Sequence, residues 1–586
     1  MSLDLIIDIE TDGLLPEVTK IHCIGMTVVG AEAGQVFANQ EPYDCLDDAL
    51  ELMSQAKSLT GHNIIGYDIT IIKKLYDIDL YDTSKVIDTL VLSRLANPVR
   101  EGGHSIEKWS YRLGGIKKQE HDDWSQFSED MLTRCTKDVQ INKTLFNYLK
   151  KECIGFSKDS ILLEHQTTNI LQTQYQNGFL FDEKEAMLLL GKLNKRKREV
   201  ETEVHETFKP KWVDVKEVNP KLKKDGTLSK SGLTEIEYEE RVETNDVSPF
   251  MRKELKEFNL GSRQQIGAYL KDFGWKPKRF TPTGQPIVDE STLNKVKHIK
   301  EAGLIAEFLL LQKRAAQVSS WIDALKDDGR VHGSVICTGA ITGRMSHRSP
   351  NLAQVPSVYN PYGKECRACW TTEKGNKLVG VDASGLELRM LAHYMANEEY
   401  INEIINGDIH TANQKFAGLK SRDEAKTFIY ALIYGAGDAK IGSIIKGSRA
   451  DGKLLRERFL TSLPALATLK TRVDFAAEKK FLKGLDGRKI FLRYKHAALN
   501  TLLQGAGAIL MKKALVMLDD MLKLNTINYK FVANIHDEWQ LEVKETQAEF
   551  TGELAVKSII QAGEHFNLRC PMDGEYKIGE NWSETH

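Results

Sequence analysis

Residues 422–434 read RDEAKTFIYALIY, and within them Arg422, Lys426, Tyr430 and Tyr434 recur at every fourth position. At 3.6 residues per turn, this spacing predicts one helix with all four side chains along one side. Two cations followed by two phenols form a row that can hold a polyphosphate at one end and a flat ring at the other. An ordinary amphipathic helix would repeat Leu or Ile there, so we interpret the polar stripe as a binding surface. The alternative is a solvated helix face.

Two aspartates that follow predicted strands accompany this helix. Asp382 ends an apolar strand in KLVGVDASGLELR, and Asp537 lies in VANIHDEWQLEV, which predicts a hairpin with His-Asp-Glu at its tip. On adjacent strands the two carboxylates can clamp a metal pair suited to in-line attack on a nucleoside triphosphate. Taken alone, an exposed acidic turn is common. Just before the polar stripe, GDIHT offers His410 as a further donor.

A second set of acids lies in the first 140 residues. Asp8 and Glu10 end the apolar strand LDLIIDIE, and at positions i and i+2 they face the same side. Asp68 follows in GHNIIGYD, and Asp138 lies on a predicted helix in TRCTKDV. Each acid alone is an ordinary strand-end or helix-surface residue. Together they suit two divalent metals that activate water for phosphodiester hydrolysis.

Length and composition limit the classes of protein. A chain of 586 residues is too long for one core and predicts three or more domains. The net charge is only −2, so a nucleic acid would have to bind local basic patches. Carboxylates near the N-terminus and the absence of an 18-residue apolar stretch predict an intracellular protein without a membrane segment. Eight cysteines suit a reducing compartment.

One basic patch and one cysteine pair allow two interpretations each. The patch has five cations within seven residues: Lys192, Lys195, Arg196, Lys197 and Arg198. It is either a nucleic-acid contact or a solvated helix face. Cys366 and Cys369 form a C-x-x-C without a second pair or a His cluster, so we interpret them as buried thiols rather than as a zinc site.

The pattern along the chain divides it into three regions. Residues 1–150 predict an α/β domain with apolar strands, and residues 160–330 predict mostly long helices. Residues 209–257 carry 11 basic and 11 acidic residues and predict a loop-rich insertion. From residue 331 onward, a mixed α+β unit with an inserted helical subdomain is expected. In the first region, helices are predicted near residues 47–54, 84–95 and 129–150.

These strings resemble known polymerase motifs. VDASGLELR, RDEAKTFIYALIYGAG and IHDEWQ are similar to motifs A, B and C of the family A DNA polymerases. GAITGRMSHRSPNLAQVP, GDIHTANQ, GLDGRK and HAALNTLLQ resemble the branch found in T-seven-like bacteriophages. The N-terminal acids resemble the 3′→5′ exonuclease domain of the family, so the resemblance covers nearly the whole chain.

The resemblance implies a multidomain α/β and α+β fold. A ribonuclease-H-like 3′→5′ exonuclease domain would be followed by a right-hand polymerase with palm, fingers and thumb. The implied ranges are exonuclease 1–155, thumb 156–330 with an insertion near 209–257, first palm segment 331–409, fingers 410–496 and second palm segment 497–586.

The resemblance also implies two metal centres that each hold two Mg²⁺ ions. In the polymerase centre Asp382 and Asp537 would hold the ions, with the backbone carbonyl of Ala383 assisting. Glu538 lies next to Asp537 and is implied to be catalytic together with the two aspartates. The exonuclease centre would use four acids: Asp8, Glu10, Asp68 and Asp138.

Nucleotide and DNA contacts follow from the same resemblance. Arg422, Lys426 and His410 would grip the triphosphate, with Lys426 among the catalytic residues. Tyr430 would pack on the incoming sugar and base, and Tyr434 would guard the template base position.

The remaining polar positions would select the sugar and hold DNA. Glu387 would close the space beside the sugar C2′ and disfavour ribonucleotides. Arg344, Asn500, Gln504 and His536 would contact the primer–template. Arg344 and Gln504 would reach minor-groove acceptors that all base pairs share, so pair shape is checked without reading sequence.

Two features differ from the family pattern. The exonuclease family usually has a Tyr four residues, or a His five residues, before its last Asp, and these positions are Arg134 and Thr133 here. Residues 209–257 stand where the phage enzymes carry a longer, more basic insertion that binds host thioredoxin. A thioredoxin-like processivity factor is therefore a candidate partner at this shorter, charge-balanced segment.

The implied setting is phage DNA replication in the cytoplasm of an infected bacterial host. Its partners would be primer–template DNA, dNTPs, a helicase-primase and a single-strand binding protein. Two alternatives are a single-subunit RNA polymerase that shares the palm and a non-catalytic primer–template binding protein. Glu387 and the exonuclease-like domain argue against the first. Intact Asp382, Asp537, Lys426 and Arg422 argue against the second.

Overall fold

The chain forms two compact units. The computed structural model describes residues 3–82, 85–114, 121–289, 292–293, 296 and 298–586. The first unit comprises Met1–Asp182 and Ala324–His586, and the second is Glu183–Asp323.

The N-terminal part of the first unit is built on a five-stranded mixed sheet with the order β3-β2-β1-β4-β5. Strand β1 pairs antiparallel with β2 and parallel with β4. Ile6 packs against Trp109 and Leu145 on one face, whereas Leu5 and Ile7 join a separate core on the other. Burial on both faces explains the continuous apolar run of β1. The strands are β1 Asp4–Thr11, β2 Ile21–Val28, β3 Gly34–Phe37, β4 Ser58–Gly61 and β5 Val86–Asp88.

The helices of this domain agree with two of the three predictions. In the described part they are Leu46–Gln55, Asp68–Tyr76, Thr89–Ala96, Ile106–Leu113 and Glu129–Glu152. The helix predicted near 84–95 starts only at Thr89, because the preceding residues form β5 and Asp88 caps the helix by accepting from the amides of Leu90 and Val91. Ser84 lies outside the described residues.

The C-terminal part of the first unit contains a four-stranded antiparallel sheet with the order β16-β17-β13-β18. Val379 and Val381 of β13 share one large core with Leu515 and Ile559 of two long helices. The sheet strands are β13 Asn376–Ala383, β16 Tyr529–Ile535, β17 Glu538–Lys544 and β18 Gly574–Gly579. The small sheets use β6 Phe179–Phe181, β9 Arg330–Val331, β10 Ser334–Ile336, β11 Ser346–Arg348, β12 Trp370–Thr371, β14 Phe481–Lys483 and β15 Lys489–Phe491.

Helices make up most of the rest of this part. They are Lys158–Asn177, Gly363–Ala368, Leu386–Met395, Glu398–Ile405, Ile409–Ala417, Arg422–Ile433, Asp438–Ile444, Arg449–Ser462, Pro464–Ala476, Ala498–Leu524 and Ala548–His565. Among the described residues, one stretch, Lys495–Leu524, is long and apolar enough to cross a membrane, which the sequence analysis does not predict. Since 78% of its apolar window is buried within the protein, its apolarity is accounted for by the core.

The second unit is more ordered than the predicted loop-rich insertion. Strands β7 Lys211–Val218 and β8 Phe250–Lys256 form an antiparallel ribbon. Arg252 donates from Nε to Glu237 Oε1 at 2.7 Å, so opposite charges within the insertion pair with one another. These strands and the helix Glu235–Val242 cover part of residues 209–257, and turns and loops connect them. The sequence pattern predicted the loops but not the ribbon. In the described part of this unit the helices are Glu183–Thr207, Glu235–Val242, Arg263–Asp272 and Lys300–Ile322.

Three further expectations from the sequence can be compared with the structure. Arg196 of the basic patch donates to both carboxylate oxygens of Glu307, at 2.8 and 3.1 Å, and is therefore paired within its own unit. The second unit begins at Glu183, whereas the implied thumb begins at residue 156. The difference arises because Leu163 and Ile170 of the intervening helix belong to the core of the first unit. Cys366 and Cys369 are fully buried thiols that are not joined in a disulfide, as predicted.

A buried charge cluster joins distant segments of the first unit. Lys512 Nζ donates to both oxygens of Glu164, at 2.7 and 2.9 Å, and Arg488 also pairs with Glu164. Thr338 Oγ1 donates to the same carboxylate at 2.5 Å. Burial opposes ionisation of Glu164, but the charges of Lys512 and Arg488 outweigh it and lower its pKa well below the ordinary range.

Replacing Glu164 with Gln is expected to lower stability by about 3–5 kcal/mol at pH 7, because two buried cations lose a partner. The lowered pKa means that the contribution of Glu164 is complete above its ordinary pKa of 4.5 and is lost as the pH falls below it. Melting curves of wild type and Glu164→Gln should therefore converge in acid. Glu457→Gln, in an exposed pair with Lys453, is the matched control and should melt like wild type. Equal melting of wild type and Glu164→Gln at pH 7 would contradict the account.

Candidate active sites

The pairing of β13 with β17 brings the two predicted aspartates together. Asp382 stands opposite Glu538 in the strand register, and the amide of Ala383 donates to the carbonyl of Asp537 at 3.1 Å. Asp537 lies in the two-residue turn between β16 and β17, next to His536 with φ 57°. The predicted hairpin and the predicted adjacency of the aspartates are both observed.

Like charges crowd at this point. Asp382 is exposed on one side, but the surrounding protein still partly desolvates its carboxyl group. This desolvation, together with the negative charges of Asp537 and Glu538, raises the pKa of Asp382 to about 7. Burial chiefly, with the charges of Glu387 and Glu538, also raises the pKa of Asp537. Two carboxylates that resist ionisation side by side form a donor set suited to a hard divalent cation.

Glu538 has different surroundings from its neighbour. It is buried and accepts from Gln540 Nε2 at 2.8 Å and from Trp582 Nε1 at 2.5 Å. His586 Nδ1 lies 3.4 Å from its other oxygen. Burial opposes its ionisation, but the bond from His586 and the nearby cations outweigh this and lower its pKa. Glu538 therefore anchors the C-terminal residues, which the sequence analysis did not associate with the site.

Three of the four residues of the polar stripe lie on one helix, as predicted, and the fourth, Tyr434, follows directly after it. Ser421 and Glu424 form a capping box at the start of Arg422–Ile433, and Tyr434 is the C-cap residue. Ala425, Phe428, Ile429 and Ile433 form its buried face, whereas Arg422 and Lys426 are exposed and Tyr430 is half-buried.

Asp408 is a residue of this site that the sequence analysis missed. Arg422 donates to it from Nε at 2.6 Å and from Nη2 at 3.2 Å. Asp408 also accepts from the His410 amide at the start of the helix Ile409–Ala417. Burial, followed by the charges of Arg422 and Lys426, lowers the pKa of His410. The excess of cations around His410 makes this corner suited to an anion.

Glu387 connects the stripe to the carboxylates. Tyr434 Oη donates to Glu387 Oε1 at 2.7 Å, and Arg344 Nη2 donates to the same oxygen at 3.1 Å. Burial chiefly raises the pKa of Tyr430, and the charges of Glu387 and Asp537 add to it. The phenol end of the stripe therefore faces the aspartate pair.

The other predicted DNA contacts lie around the same cleft. Asn500 and Gln504 are one turn apart on the helix Ala498–Leu524, and Gln504 interacts with the Tyr434 hydroxyl. Within the described part of the chain, the buried Oδ1 of Asn500 has no hydrogen-bond partner. Burial, and then the charge of Arg344, lower the pKa of His536 to about 4.

The N-terminal acids form a separate cluster. Asp8 and Glu10 of β1 and Asp138 of the helix Glu129–Glu152 each offer an oxygen, and the three oxygens lie within 4.8 Å of one another. They line a cavity of about 540 Å³ together with Asp68. Asp68 is outside the 4.8 Å group. Burial, followed by the charges of Asp88 and Glu10, raises its pKa to about 7.

Arg134 and Thr133 differ in where they point. Thr133 is exposed on the helix surface, and its hydroxyl donates to the Glu129 carbonyl at 2.9 Å. Arg134 lines the cavity and donates from Nε to Glu10 Oε1 at 3.0 Å. The sequence places a cation at this position but gives no sign of its partner.

Comparison with known proteins shows to which family the chain belongs. The family model described as DNA polymerase family A matches residues 231–584, and an RNase_H superfamily model matches residues 5–122. The DNA-directed DNA polymerases of Enterobacteria phage T3 and Escherichia phage T7 are 35% and 34% identical to the chain. In each case 99% of this chain and 100% of the relative are covered.

A solved structure has the same fold. The POL domain of Pol1 from M. smegmatis, in complex with DNA primer-template and dNTP, superimposes with a TM-score of 0.78. The match covers 100% of this chain and 96% of that one at 17% identity. With an RNase-H-like domain followed by a polymerase domain, the chain belongs to DNA polymerase family A.

Proposed function

We propose that the chain extends a primer 3′-OH with dNTPs under the direction of a DNA template and removes 3′-terminal nucleotides at its second acidic site. The observation that carries the first activity is the Asp382–Asp537 pair, whose Asp537 lies close enough to act on Tyr430, a residue of the same helix as Arg422 and Lys426. Phosphoryl transfer from a nucleoside triphosphate requires metal ligands and anion-binding side chains in one cleft.

The donor set fits hard divalent ions. Asp382 and Asp537, with the backbone carbonyl of Ala383, would hold two Mg²⁺ ions, which supply charge stabilisation for the attacking and leaving oxygens. Glu538 would support the turn through its buried contacts rather than bind an ion.

The cations of the stripe would bind and orient the triphosphate. Lys426 and Arg422 would contact phosphate oxygens, and Asp408 would fix the plane of the Arg422 guanidinium. His410, with a lowered pKa, would act as a neutral hydrogen-bond donor. Positioning and electrostatics would supply most of the rate enhancement.

The phenol end would select the nucleotide. Tyr430 would pack on the sugar and base, Tyr434 would occupy the template base position, and Glu387 would exclude a 2′-hydroxyl. The shared bond of Tyr434 and Arg344 to Glu387 supports this role, because it holds the carboxylate in one orientation.

The primer–template would lie against polar groups on the same side. Arg344 and Gln504 would reach minor-groove acceptors common to all base pairs. Asn500, whose Oδ1 lacks a partner within the described residues, would accept from the DNA, and His536 would lie beside the primer end.

The N-terminal acids would form the editing site. Asp8, Glu10, Asp68 and Asp138 would hold two Mg²⁺ ions, and the cavity beside them has room for a terminal nucleotide. We place the domains at 1–155, 156–330, 331–409, 410–496 and 497–586, with most of the proposed thumb in the compact unit Glu183–Asp323.

The ribbon of the second unit is our candidate for partner binding. Trp212 and Leu255 are cross-strand neighbours with 67% and 53% of their surfaces exposed. Adjacent exposed apolar side chains suit a protein partner such as a thioredoxin-like processivity factor. A helicase-primase and a single-strand binding protein would complete a phage replisome in the cytoplasm of an infected bacterium.

Asp382→Ala or Asp537→Ala is expected to abolish primer extension while leaving primer–template affinity nearly unchanged. The reason is that these acids bind metal, whereas DNA affinity comes mainly from cationic side chains that contact the phosphate backbone of the DNA. Single-nucleotide extension with dNTPs and rNTPs, paired with a DNA-binding assay, measures both properties. Asp474→Ala, in an exposed pair with Lys470, is the matched control. Extension above background by either mutant would refute the metal assignment.

The editing site should degrade single strands from the 3′ end, and Asp8→Ala combined with Glu10→Ala should remove this activity. Wild-type activity should be low, because losing a water-orienting group typically costs about 10²–10⁴-fold. Arg134→Tyr restores a phenol at the position of the usual Tyr and should raise the activity. The proposal fails if wild type and Arg134→Tyr both leave an end-labelled single strand intact.

Deletion of residues 209–257 is expected to shorten products per binding event but to spare single-nucleotide addition. The proposed catalytic residues lie outside this segment, so only the extent of DNA contact should change. Product lengths in the presence of a DNA trap, with and without thioredoxin, measure the effect. Equal lengths for deletion and wild type under both conditions would argue against a role in processivity.

Tyr430→Phe is expected to increase discrimination against dideoxynucleotides roughly ten- to hundredfold. The phenol oxygen can fill the polar gap left by a missing 3′-hydroxyl, whereas Phe leaves nearby groups unpaired at a cost of about 1–3 kcal/mol. Competition between ddNTP and dNTP at one template position gives the ratio. If wild type discriminates against dideoxynucleotides as strongly as Tyr430→Phe does, then Tyr430 does not face the sugar.

A further inference from the structure

Arg134 is a cation fixed inside the acidic cluster of the N-terminal domain. It lies one helical turn before Asp138, so the two side chains leave the same face of the helix Glu129–Glu152. Its Nε donates to Glu10 Oε1 at 3.0 Å, and the two side chains are only 18% and 10% exposed. Little water therefore screens the pair.

A second contact holds the guanidinium in place. Its central carbon lies 4.8 Å from the centre of the Trp124 ring, a cation–π contact. Trp124 is itself held, because its carbonyl is 3.0 Å from His22 Nε2. Trp124, Arg134, Glu10 and Asp138 all line one cavity. Arg134 therefore occupies a defined position beside a carboxylate of the cluster.

A fixed positive charge next to Glu10 weakens the binding of a divalent ion to Asp8, Glu10 and Asp138. The guanidinium neutralises one of the charges that would attract the ion, and it also repels the ion directly. Because both side chains are largely buried, both effects are stronger than on an open surface. Metal binding at Asp8, Glu10 and Asp138 must displace Arg134 from Glu10 or tolerate its charge.

We propose that Arg134 competes with the divalent ion for Glu10, so that the site binds metal weakly until a DNA 3′ end draws the guanidinium away. A backbone phosphate is the ligand that can take over Arg134, since guanidinium and phosphate match in charge and geometry. DNA binding and metal binding then favour one another, and by linkage each raises the affinity for the other. The proposal rests on the proposed exonuclease function, because it assumes that DNA enters this cavity.

Direct measurement of Mn²⁺ binding tests the competition. The full chain is used with Asp382 and Asp537 both replaced by Asn, so that the polymerase carboxylates do not contribute. Electron paramagnetic resonance reports free Mn²⁺ during titration. Without DNA, Arg134→Met should bind Mn²⁺ about tenfold more tightly than the parent, because the side chain still reaches Trp124 but carries no charge. Arg134→Lys, which keeps the charge, should bind like the parent.

Addition of an oligothymidylate with a 3′-terminal phosphorothioate linkage tests the coupling. It should tighten Mn²⁺ binding several-fold in the parent and much less in Arg134→Met. In a Glu10→Gln background, Arg134→Met should tighten Mn²⁺ binding clearly less than in the parent, because the shared carboxylate is gone and only the direct repulsion between Arg134 and the ion remains. Melting curves show whether each variant is folded. If Arg134→Met does not fold, Arg134→Gln is used instead.

The outcomes separate the two proposals. Equal Mn²⁺ affinity of the parent and Arg134→Met would overturn the competition. An undiminished tenfold effect in the Glu10→Gln background would overturn the role of Glu10. Tighter Mn²⁺ binding by Arg134→Met, with no single-strand degradation by wild type or by Arg134→Tyr when Asp382 and Asp537 are intact, would support the competition and refute the exonuclease function.

Discussion

The antiparallel pairing of β13 with β17 is the constraint on which the polymerase half depends. The register sets Asp382 opposite Glu538, and the bond from the Ala383 amide to the Asp537 carbonyl fixes the distance between the strand end and the turn. A shift by one residue would reverse which side chains face the cleft and which face the core. The neighbours Asp537 and Glu538 illustrate this dependence on register: Asp537 faces the cleft, whereas Glu538 anchors the C-terminal residues.

A second constraint holds the parts of the first unit around this sheet. Glu164, Lys512 and Arg488 come from three distant segments and meet in a site where their side chains are at most 3% exposed. Such a cluster adds little net stability compared with an apolar core, but it disfavours arrangements in which any one charge is left alone. It therefore specifies how the helix Lys158–Asn177 sits against the helix Ala498–Leu524, and so supports the cleft that Asp382 lines.

Local patterns in the sequence predicted much of this architecture. The four-residue spacing of the stripe and the hairpin around Asp537 depend on neighbouring residues, and both are observed. The comparisons confirm the predicted family and fold class. The missed features are pairings between residues far apart in sequence, such as Arg134 with Glu10, or between charges that look solvated, such as Arg422 with Asp408. The ordered ribbon of the second unit was missed for the same reason, since its stability comes from cross-strand and charge pairs.

The most direct test of the central claim is diffraction from a complex with a dideoxy-terminated primer–template, the next dNTP and Mn²⁺. The account predicts two anomalous peaks between the carboxylates of Asp382 and Asp537, with the triphosphate against Lys426 and Arg422 and Glu538 still bound to Trp582. Bound nucleotide without Mn²⁺ between the two aspartates, or with the triphosphate away from the stripe, would contradict it.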